Sequence, residues 1–265
     1  MNKRLVLGTA ALAVLLVTSG CLGAIMGPQD VSDDQLNEEP PVDYAFDSDR
    51  DVHITVTENA QFAAVYEMNA SSIELFRRDG FGGRNSISVS ALRYQYENGT
   101  VLNGTQLKAR GGSVQQTREV VTVTLPSDAN ADGKLAFTSS SSPKRFSLPT
   151  YVEGSYEVVL PPDRRVDFFL FGQVRPGADE RFEDDQGRTH LQWENVDTES
   201  VLVQFYLQRD LYIFGGVAAL LVVVAGGGLA YYKRQIEALR ERRQQMGLSV
   251  DVSDDDDDGP PPGMG

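Results

Sequence analysis

The sequence is poor in cysteine, tryptophan, histidine and positive charge. Of its 265 residues one is Cys, one is Trp and two are His, and acidic side chains outnumber basic ones by 38 to 24. A single Cys excludes a disulfide framework and a Cys-based zinc site within one chain. A net charge of −14 argues against nucleic acid as a partner, because such binding needs a basic face. The 41% of hydrophobic residues suffices for a packed core, which excludes disorder throughout the chain.

Motifs of known catalytic chemistry are also missing. The sequence has no GxSxG, no P-loop and no dinucleotide-binding glycine signature. Gly80–Gly83 lacks the strand–helix context that a phosphate loop requires. Acidic residues are so numerous that no pair of them can be singled out as a candidate general acid and general base. The sequence therefore predicts no enzyme, and no cofactor apart from calcium at one loop.

Residues 1–21 read as an export signal. Lys3 and Arg4 precede Leu5–Val17, a 13-residue apolar stretch that is short for a membrane span. The segment Val17–Cys21, VTSGC, resembles the lipobox of prokaryotic lipoproteins, in which the Cys becomes the lipidated N-terminus. This resemblance predicts lipidation at Cys21. The alternatives are an uncleaved anchor and an ordinary buried Cys.

A second apolar segment, Leu211–Tyr232, contains 22 residues without a charge. As a helix it would be about 33 Å long, enough to cross a bilayer. Tyr212 and Tyr231 fit the aromatic belts at the two interfaces. Basic residues follow it closely: Lys233, Arg234, Arg240, Arg242 and Arg243. The excess of positive charge predicts a cytoplasmic C-terminus and an extracytoplasmic location for residues 22–210, which carry 30 acidic and 17 basic residues.

Residues 22–51 are acidic and lack apolar periodicity, which predicts a disordered tether. From residue 52 to 209, short segments alternate apolar and polar residues, with Gly, Pro, Asn or Asp between them. This pattern predicts an all-β extracytoplasmic domain, a β-sandwich for which an Ig-like fold is one option, with a short helix near Asn59–Met68. One transmembrane α-helix follows at 211–232, and residues 233–265 are expected to form a basic helix and a disordered acidic tail.

Four segments carry a family resemblance: Gly154–Pro162, Leu170–Gly172, Tyr206–Gly215 and Tyr231–Ile236. Together they resemble a family of haloarchaeal membrane-anchored, lipoprotein-like proteins of unknown function. The resemblance implies a signal, an outer β domain, one C-terminal span and a short cytoplasmic tail, but no catalytic residues. A haloarchaeal origin would also account for the acid excess, since high salt screens repulsion between carboxylates.

The loop Asp128–Gly133 has the carboxylate spacing of a calcium loop. Asp128, Asn130 and Asp132 would supply the oxygen ligands, and Gly133 the sharp turn. The twelfth position is Ser139 rather than the bidentate Glu of an EF-hand. A polar hairpin turn is the alternative interpretation.

The two histidines and an acidic run give weaker candidates. His190, Gln192 and Glu194 would share one strand face, as a fragment of a metal or acid/base site, but no HExxH motif supports them. A structural role for His190 and for the other histidine, His53, is the alternative. The acidic run Asp179–Asp185 is expected to form an exposed hairpin.

Three sequons, at Asn69, Asn98 and Asn103, are candidate glycosylation sites on the exported side. The Asn-Gly pairs at the last two also favour hairpin turns.

Three functions remain in contest. The first is a membrane-anchored envelope interaction or structural module, with an envelope protein or glycan as partner. The second is an envelope enzyme or metal-dependent binding protein that would use the Asp128 loop or His190, and it requires those groups to converge in one pocket. The third is a sensor that signals through a partner of the cytoplasmic tail.

Overall fold

The computed structural model describes residues 27–129 and 133–247. The predicted signal, Cys21, loop residues 130–132 and the acidic tail after 247 lie outside the described residues. Before the loop, the chain contains these elements: β1 (Gln29–Asp30), α1 (Asp33–Leu36), β2 (Val52–Val56), β3 (Gln61–Glu67), β4 (Ser72–Arg78), β5 (Arg84–Ser86), β6 (Ser90–Gln95), β7 (Val101–Asn103), α2 (Gly104–Ala109), β8 (Ser113–Gln116) and β9 (Val121–Thr124).

After the loop, strands continue almost to the apolar segment, and one long helix follows. The elements are β10 (Lys134–Ser140), β11 (Arg145–Pro149), β12 (Gly154–Val159), β13 (Arg164–Arg165), β14 (Gln173–Arg175), β15 (Glu180–Glu183), β16 (Thr189–Val196), β17 (Ser200–Gln204), β18 (Tyr206–Leu207) and α3 (Gln208–Gln245).

The largest sheet has eight strands in the order β15-β16-β12-β2-β3-β10-β6-β7. Its neighbours pair antiparallel except β2 and β12, which are parallel. Alternate residues of a strand point to the same face. Val52, Ile54 and Val56 of β2 are therefore buried on the inner face, together with Trp193 of β16. The intervening residues of these strands, including His53, lie on the outer face.

Two smaller sheets, with the orders β1-β8-β9-β4-β5 and β11-β17-β14, contribute to the same hydrophobic core. A third sheet consists of β13 and β18. Phe62 of β3 packs edge-on against Phe146 of β11 at 5.3 Å between ring centroids. Residues up to Gln208 form one compact unit. The prediction of an all-β domain followed by one apolar helix is confirmed.

The predicted short helix near Asn59–Met68 is wrong, because this segment contains strand β3. Phe62 and Tyr66 are buried on the inner face, and Ala63 and Val65 are buried on the outer one. A strand covered on both faces reads as a continuous apolar run, which periodicity alone cannot distinguish from a helix.

The predicted disordered tether does not hold for residues 29–50. β1 pairs with β8 at the edge of the five-stranded sheet. Ser32 caps α1, its hydroxyl accepting from the backbone N–H of Gln35 at 3.3 Å. Leu36, at the end of α1, is fully buried where Gly104 of α2 leaves room for its side chain. One buried leucine and one strand pair thus order a segment whose composition is that of a flexible chain.

Residues 37–50, which we call the N-terminal strap, lie against the eight-stranded sheet. The Tyr44 hydroxyl donates to the carbonyl of Ala91 at 2.7 Å, and burial raises the pKa of Tyr44 to about 12. The Lys134 ammonium donates to the carbonyl of Phe46 at 2.9 Å. Partners on the sheet therefore satisfy polar groups that the sequence pattern assigned to solvent.

The C-terminal helix α3 is 38 residues long, and none of them is buried. At 1.5 Å per residue it extends about 57 Å, longer than a bilayer core. It is long and apolar enough to cross a membrane. Helix α3 continues past Tyr232 into the basic segment and ends at Gln245.

Candidate functional site

The outer face of the eight-stranded sheet carries a charged residue in an otherwise apolar strand segment. Glu157 of β12 pairs in register with His53 of β2 on one side and with Gln192 of β16 on the other. His190 lies two residues before Gln192, on the same face of β16. The sheet topology therefore brings both histidines of the chain to one carboxylate, although 137 positions separate them in sequence.

Three donors surround the Glu157 carboxylate. His53 Nδ1 lies 3.0 Å from Oε2, while His190 Nδ1 and Gln192 Nε2 each lie 2.9 Å from Oε1. Glu157 itself is only 9% exposed. With Asp184, described next, these side chains form what we call the Glu157 cluster. A carboxylate this enclosed is retained because its oxygens are occupied by donors.

A second carboxylate completes the contacts of His190. Asp184 Oδ2 lies 3.1 Å from His190 Nε2 and accepts from Arg188 Nε at 2.7 Å. The ring of Phe182 stacks on the His190 ring at 4.7 Å between centroids. Each ring nitrogen of His190 therefore faces a carboxylate oxygen, Nδ1 that of Glu157 and Nε2 that of Asp184.

Hydrogen bonding lowers the pKa values of both carboxyl groups below their ordinary values. The hydrogen bond from His53 is the largest cause, and with those from His190 and Gln192 it outweighs burial and lowers the pKa of Glu157 to about 2. At Asp184 burial acts to raise the pKa, but hydrogen bonds from Arg188 and His190 outweigh it and hold the pKa below its ordinary value. Both groups are carboxylates at neutral pH.

Arg50 joins the N-terminal strap to this cluster. Its NH2 donates to Gln192 Oε1 at 3.0 Å, and its NH1 donates to Glu194 Oε1 at the same distance. Beside these contacts is an open cleft of about 500 Å³, lined by Ala45, Asp47, Ser48, Asp49, Arg50, His53, Glu157 and Gln192. The strap thus forms one wall of the cleft, and the sheet forms the other.

The side chains of the cluster form hydrogen bonds with one another. A carboxylate with a pKa of about 2 is a weak base at neutral pH, far from the range that favours general base catalysis. The Nδ1 atoms of His53 and His190 both face the Glu157 carboxylate and do not converge on a position that a ligand could occupy. Within residues 27–129 and 133–247, no group of three or more His, Cys, Asp or Glu side chains is arranged to hold a metal ion.

Sequence reasoning found part of this cluster and missed its centre. It placed His190, Gln192 and Glu194 on one strand face, and the structure does so, although Glu194 contacts Arg50 instead of Glu157. The usable signal for Glu157 was that it is the one charged residue of β12 and directly precedes two valines. The sequence gives no indication that this strand pairs with the two strands that carry the histidines.

The predicted exposed hairpin at the acidic run is observed as β15 and the turn that follows it. All residues of β15 are exposed. The run is not purely solvated, since Asp184 contacts both Arg188 and His190, and Asp179 and Glu183 also accept hydrogen bonds.

The candidate calcium loop is described at Asp128, Ala129 and Gly133. Asp128 Oδ1 accepts from the Tyr96 hydroxyl at 3.2 Å, and its Oδ2 lies 3.7 Å from Arg110 NH1. The other two candidate ligands, Asn130 and Asp132, lie outside the described residues. Calcium binding stays a prediction, in which the ion would compete with Arg110 for Asp128.

The candidate calcium loop and the Glu157 cluster lie in different parts of the β domain. Asp128 contacts Tyr96, directly after β6, while His190 is on β16. Four strands lie between β6 and β16 in the sheet order. At about 4.8 Å per strand, the two places are roughly 24 Å apart. A site that shares Asp128 and His190 is therefore not formed.

The three sequons differ in their surroundings. Asn69 and Asn98 are exposed, and Asn98 Oδ1 accepts from the backbone N–H of Thr100 in a turn. Asn103 is half-buried and caps α2, where its Oδ1 accepts from Gln106 N at 2.9 Å in a capping box. The structure thus gives Asn103 a role that needs no glycan.

One family matches most of this chain. The model of DUF5803, a family of unknown function, matches residues 48–251. The match covers the eight-stranded sheet, the Glu157 cluster, helix α3 and the start of the tail. No curated protein matches the chain. The chain therefore belongs to the DUF5803 family, whose shared region joins the β domain to the apolar helix.

Proposed function

We propose that this protein is a membrane-anchored β domain that serves at the cell envelope as an interaction or structural module. The observation that carries the proposal is the covalent continuity of β18 with α3, a helix with an uncharged 22-residue segment and no buried residue. Such a surface is stable in hydrocarbon and strongly unfavourable in water. The family match across both parts supports treating domain and anchor as one functional unit.

The proposed orientation places the β domain outside the cell and the C-terminus in the cytoplasm. It is supported by five basic residues within the 11 positions after Tyr232. The predicted export signal at residues 1–21, with lipidation at Cys21, belongs to the same proposal. Protease added to intact cells should digest the β domain and leave a C-terminal epitope tag protected. Digestion of the tag in intact cells, with the β domain digested only after the cells are opened, would reverse the orientation.

The proposed role is non-catalytic, and the Glu157 cluster supports it. Its carboxylates are held as weak bases, and the described histidine nitrogens are engaged with neighbouring side chains. We interpret the cluster as a structural tie between the strap and the sheet. The envelope-enzyme alternative loses the shared site that it required, because Asp128 and His190 are far apart.

Crosslinking in native membranes tests the interaction role. The intact protein would be compared with one variant in which residues 211–232 are replaced by a polyleucine span, and with another that lacks the β domain. A companion protein or glycan recovered with the first two chains and lost with the third supports recognition by the domain. If no component is enriched over the domain-deleted control, the interaction role is abandoned. Deletion of residues 248–265 tests the sensor alternative separately, since that alternative requires the tail.

A further inference from the structure

The loop between β13 and β14 displays apolar side chains on a well-defined turn. Phe169 is 79% exposed and Leu170 is 53% exposed. The backbone N–H groups of Phe171 and Gly172 both donate to the carbonyl of Phe168, at 2.9 and 2.7 Å. The Phe168 ring lies 5.4 Å from that of Phe169 and 5.5 Å from that of Phe171. We call residues 168–171 the aromatic loop; adjacent large apolar side chains held outward by such a turn indicate a contact surface.

The aromatic loop is attached to the strand that leads into the apolar helix. The Phe171 ring lies 6.0 Å from that of Tyr206, and the Phe171 carbonyl accepts from Gln204 Nε2 at 3.2 Å. Tyr206 is in β18, which is followed directly by α3. From Tyr206 to Leu211, the first residue of the uncharged segment, the chain has five steps. Even fully extended, these reach about 17 Å.

We infer that the aromatic loop inserts into the interfacial layer of the bilayer that α3 crosses, on the side of the β domain. The inference rests on the proposed membrane span. Phe169 and Leu170 present the apolar side chains that this layer accepts, while Tyr212 lies at the corresponding end of the span. The short chain between Tyr206 and Leu211 prevents the loop from lying far from that end. The membrane that α3 crosses is therefore close enough to the aromatic loop to be its apolar partner.

Strand registers provide a control position at the other end of the domain. Val101, 42% exposed, pairs with Gln95, which pairs with Lys134 at the start of β10. Lys144, four residues beyond the end of β10, accepts through its carbonyl from Phe205 N, next to Tyr206. The length of β10 therefore separates Val101 from the region of the aromatic loop by about 20 Å.

Tryptophan fluorescence of the full chain in nanodiscs tests the inference. The native Trp193 is 1% exposed and serves as a background. Three variants are compared: Phe169→Trp in the aromatic loop, Val101→Trp as the matched control and Val222→Trp in the span. Nanodiscs are made of phosphatidylcholine that is unlabelled, brominated near the headgroup or brominated near the bilayer midplane. We expect Phe169→Trp to lose emission mainly with headgroup-proximal bromine, Val222→Trp mainly with midplane bromine, and Val101→Trp with neither.

The outcomes separate this inference from the proposed function. If Val222→Trp is quenched while Phe169→Trp behaves like Val101→Trp, the span stands and the loop inference is overturned. If Val222→Trp is not quenched by either lipid, the membrane span itself is wrong. A blue shift of the Phe169→Trp emission without quenching, dependent on the number of copies per nanodisc, would assign the aromatic loop to a second copy and also overturn the inference.

Discussion

His53 and Glu157 lie side by side on parallel strands β2 and β12, with Nδ1 of the histidine 3.0 Å from Oε2 of the carboxylate. This is the one parallel pairing in the eight-stranded sheet. It connects a strand that directly follows the N-terminal strap to a strand about one hundred residues later. The hydrogen bond therefore closes a long loop on the outer face of the sheet.

Neutralising Glu157 should remove part of the acid sensitivity of folding. The pKa of Glu157 is lowered from 4.5 to about 2 in the folded protein, so its carboxylate adds stability above pH 4.5 that is lost as the pH falls towards 2. We expect Glu157→Gln to cost about 1–3 kcal/mol at neutral pH, since it leaves donors of the cluster unpaired. Urea unfolding measured at about pH 6 and about pH 3 should show a smaller difference for the variant.

The matched control is Glu97→Gln, which removes an exposed carboxylate near the opposite edge of the sheet. It should leave both the stability at neutral pH and the acid dependence close to those of the original protein. Equal acid dependence for Glu157→Gln and Glu97→Gln would contradict the assigned role of the cluster.

Enlarging Gly104 should disturb the packing of α1 on α2. A Cβ at this position would collide with the side chain of Leu36, which is fully buried. We expect Gly104→Ala to lower the free energy of unfolding by about 1–3 kcal/mol. Gly80→Ala is the control, because a Cβ at Gly80 meets nothing within 4 Å. Chemical unfolding compares the two, and equal effects would mean that α1 is not packed where the structure places it.

Loss of the helix cap at Asn103 should destabilise α2 without any glycan. Asn103→Ala should cost about 1 kcal/mol, whereas Asn103→Asp removes the sequon but keeps an oxygen that can accept from Gln106 N. Both variants would be measured by thermal unfolding of protein made in a host that does not glycosylate. An equal loss in the two variants would argue against the capping role.

Removing the ammonium group of Lys134 should loosen the N-terminal strap. Its Nζ donates to the carbonyls of Phe46 and Ser48 at 2.9 and 2.7 Å. We expect Lys134→Met to speed amide hydrogen exchange over residues 44–50 while β3 and β10 stay protected. Lys144→Met, at an exposed lysine beyond the other end of β10, is the control. Unchanged exchange in the strap would show that other contacts hold it.

The amino-acid sequence by itself determined the layout of this protein. A run of 22 uncharged residues specifies a helix suited to hydrocarbon, because length and apolarity are local properties. Alternating segments specify β-strands for the same reason, and Asn103 with Gln106 shows the residue types of a helix cap. These features need no information about distant contacts.

Only the tertiary structure decided which strands are neighbours, and with them the Glu157 cluster. Nothing local indicates that β12 lies between β2 and β16, so the meeting of His53, His190 and Glu157 was not predictable. The same holds for residues 29–50, whose composition is that of a flexible chain. Leu36 and Tyr44 find their partners on α2 and the sheet, and long-range contacts of this kind outweigh a weak local preference.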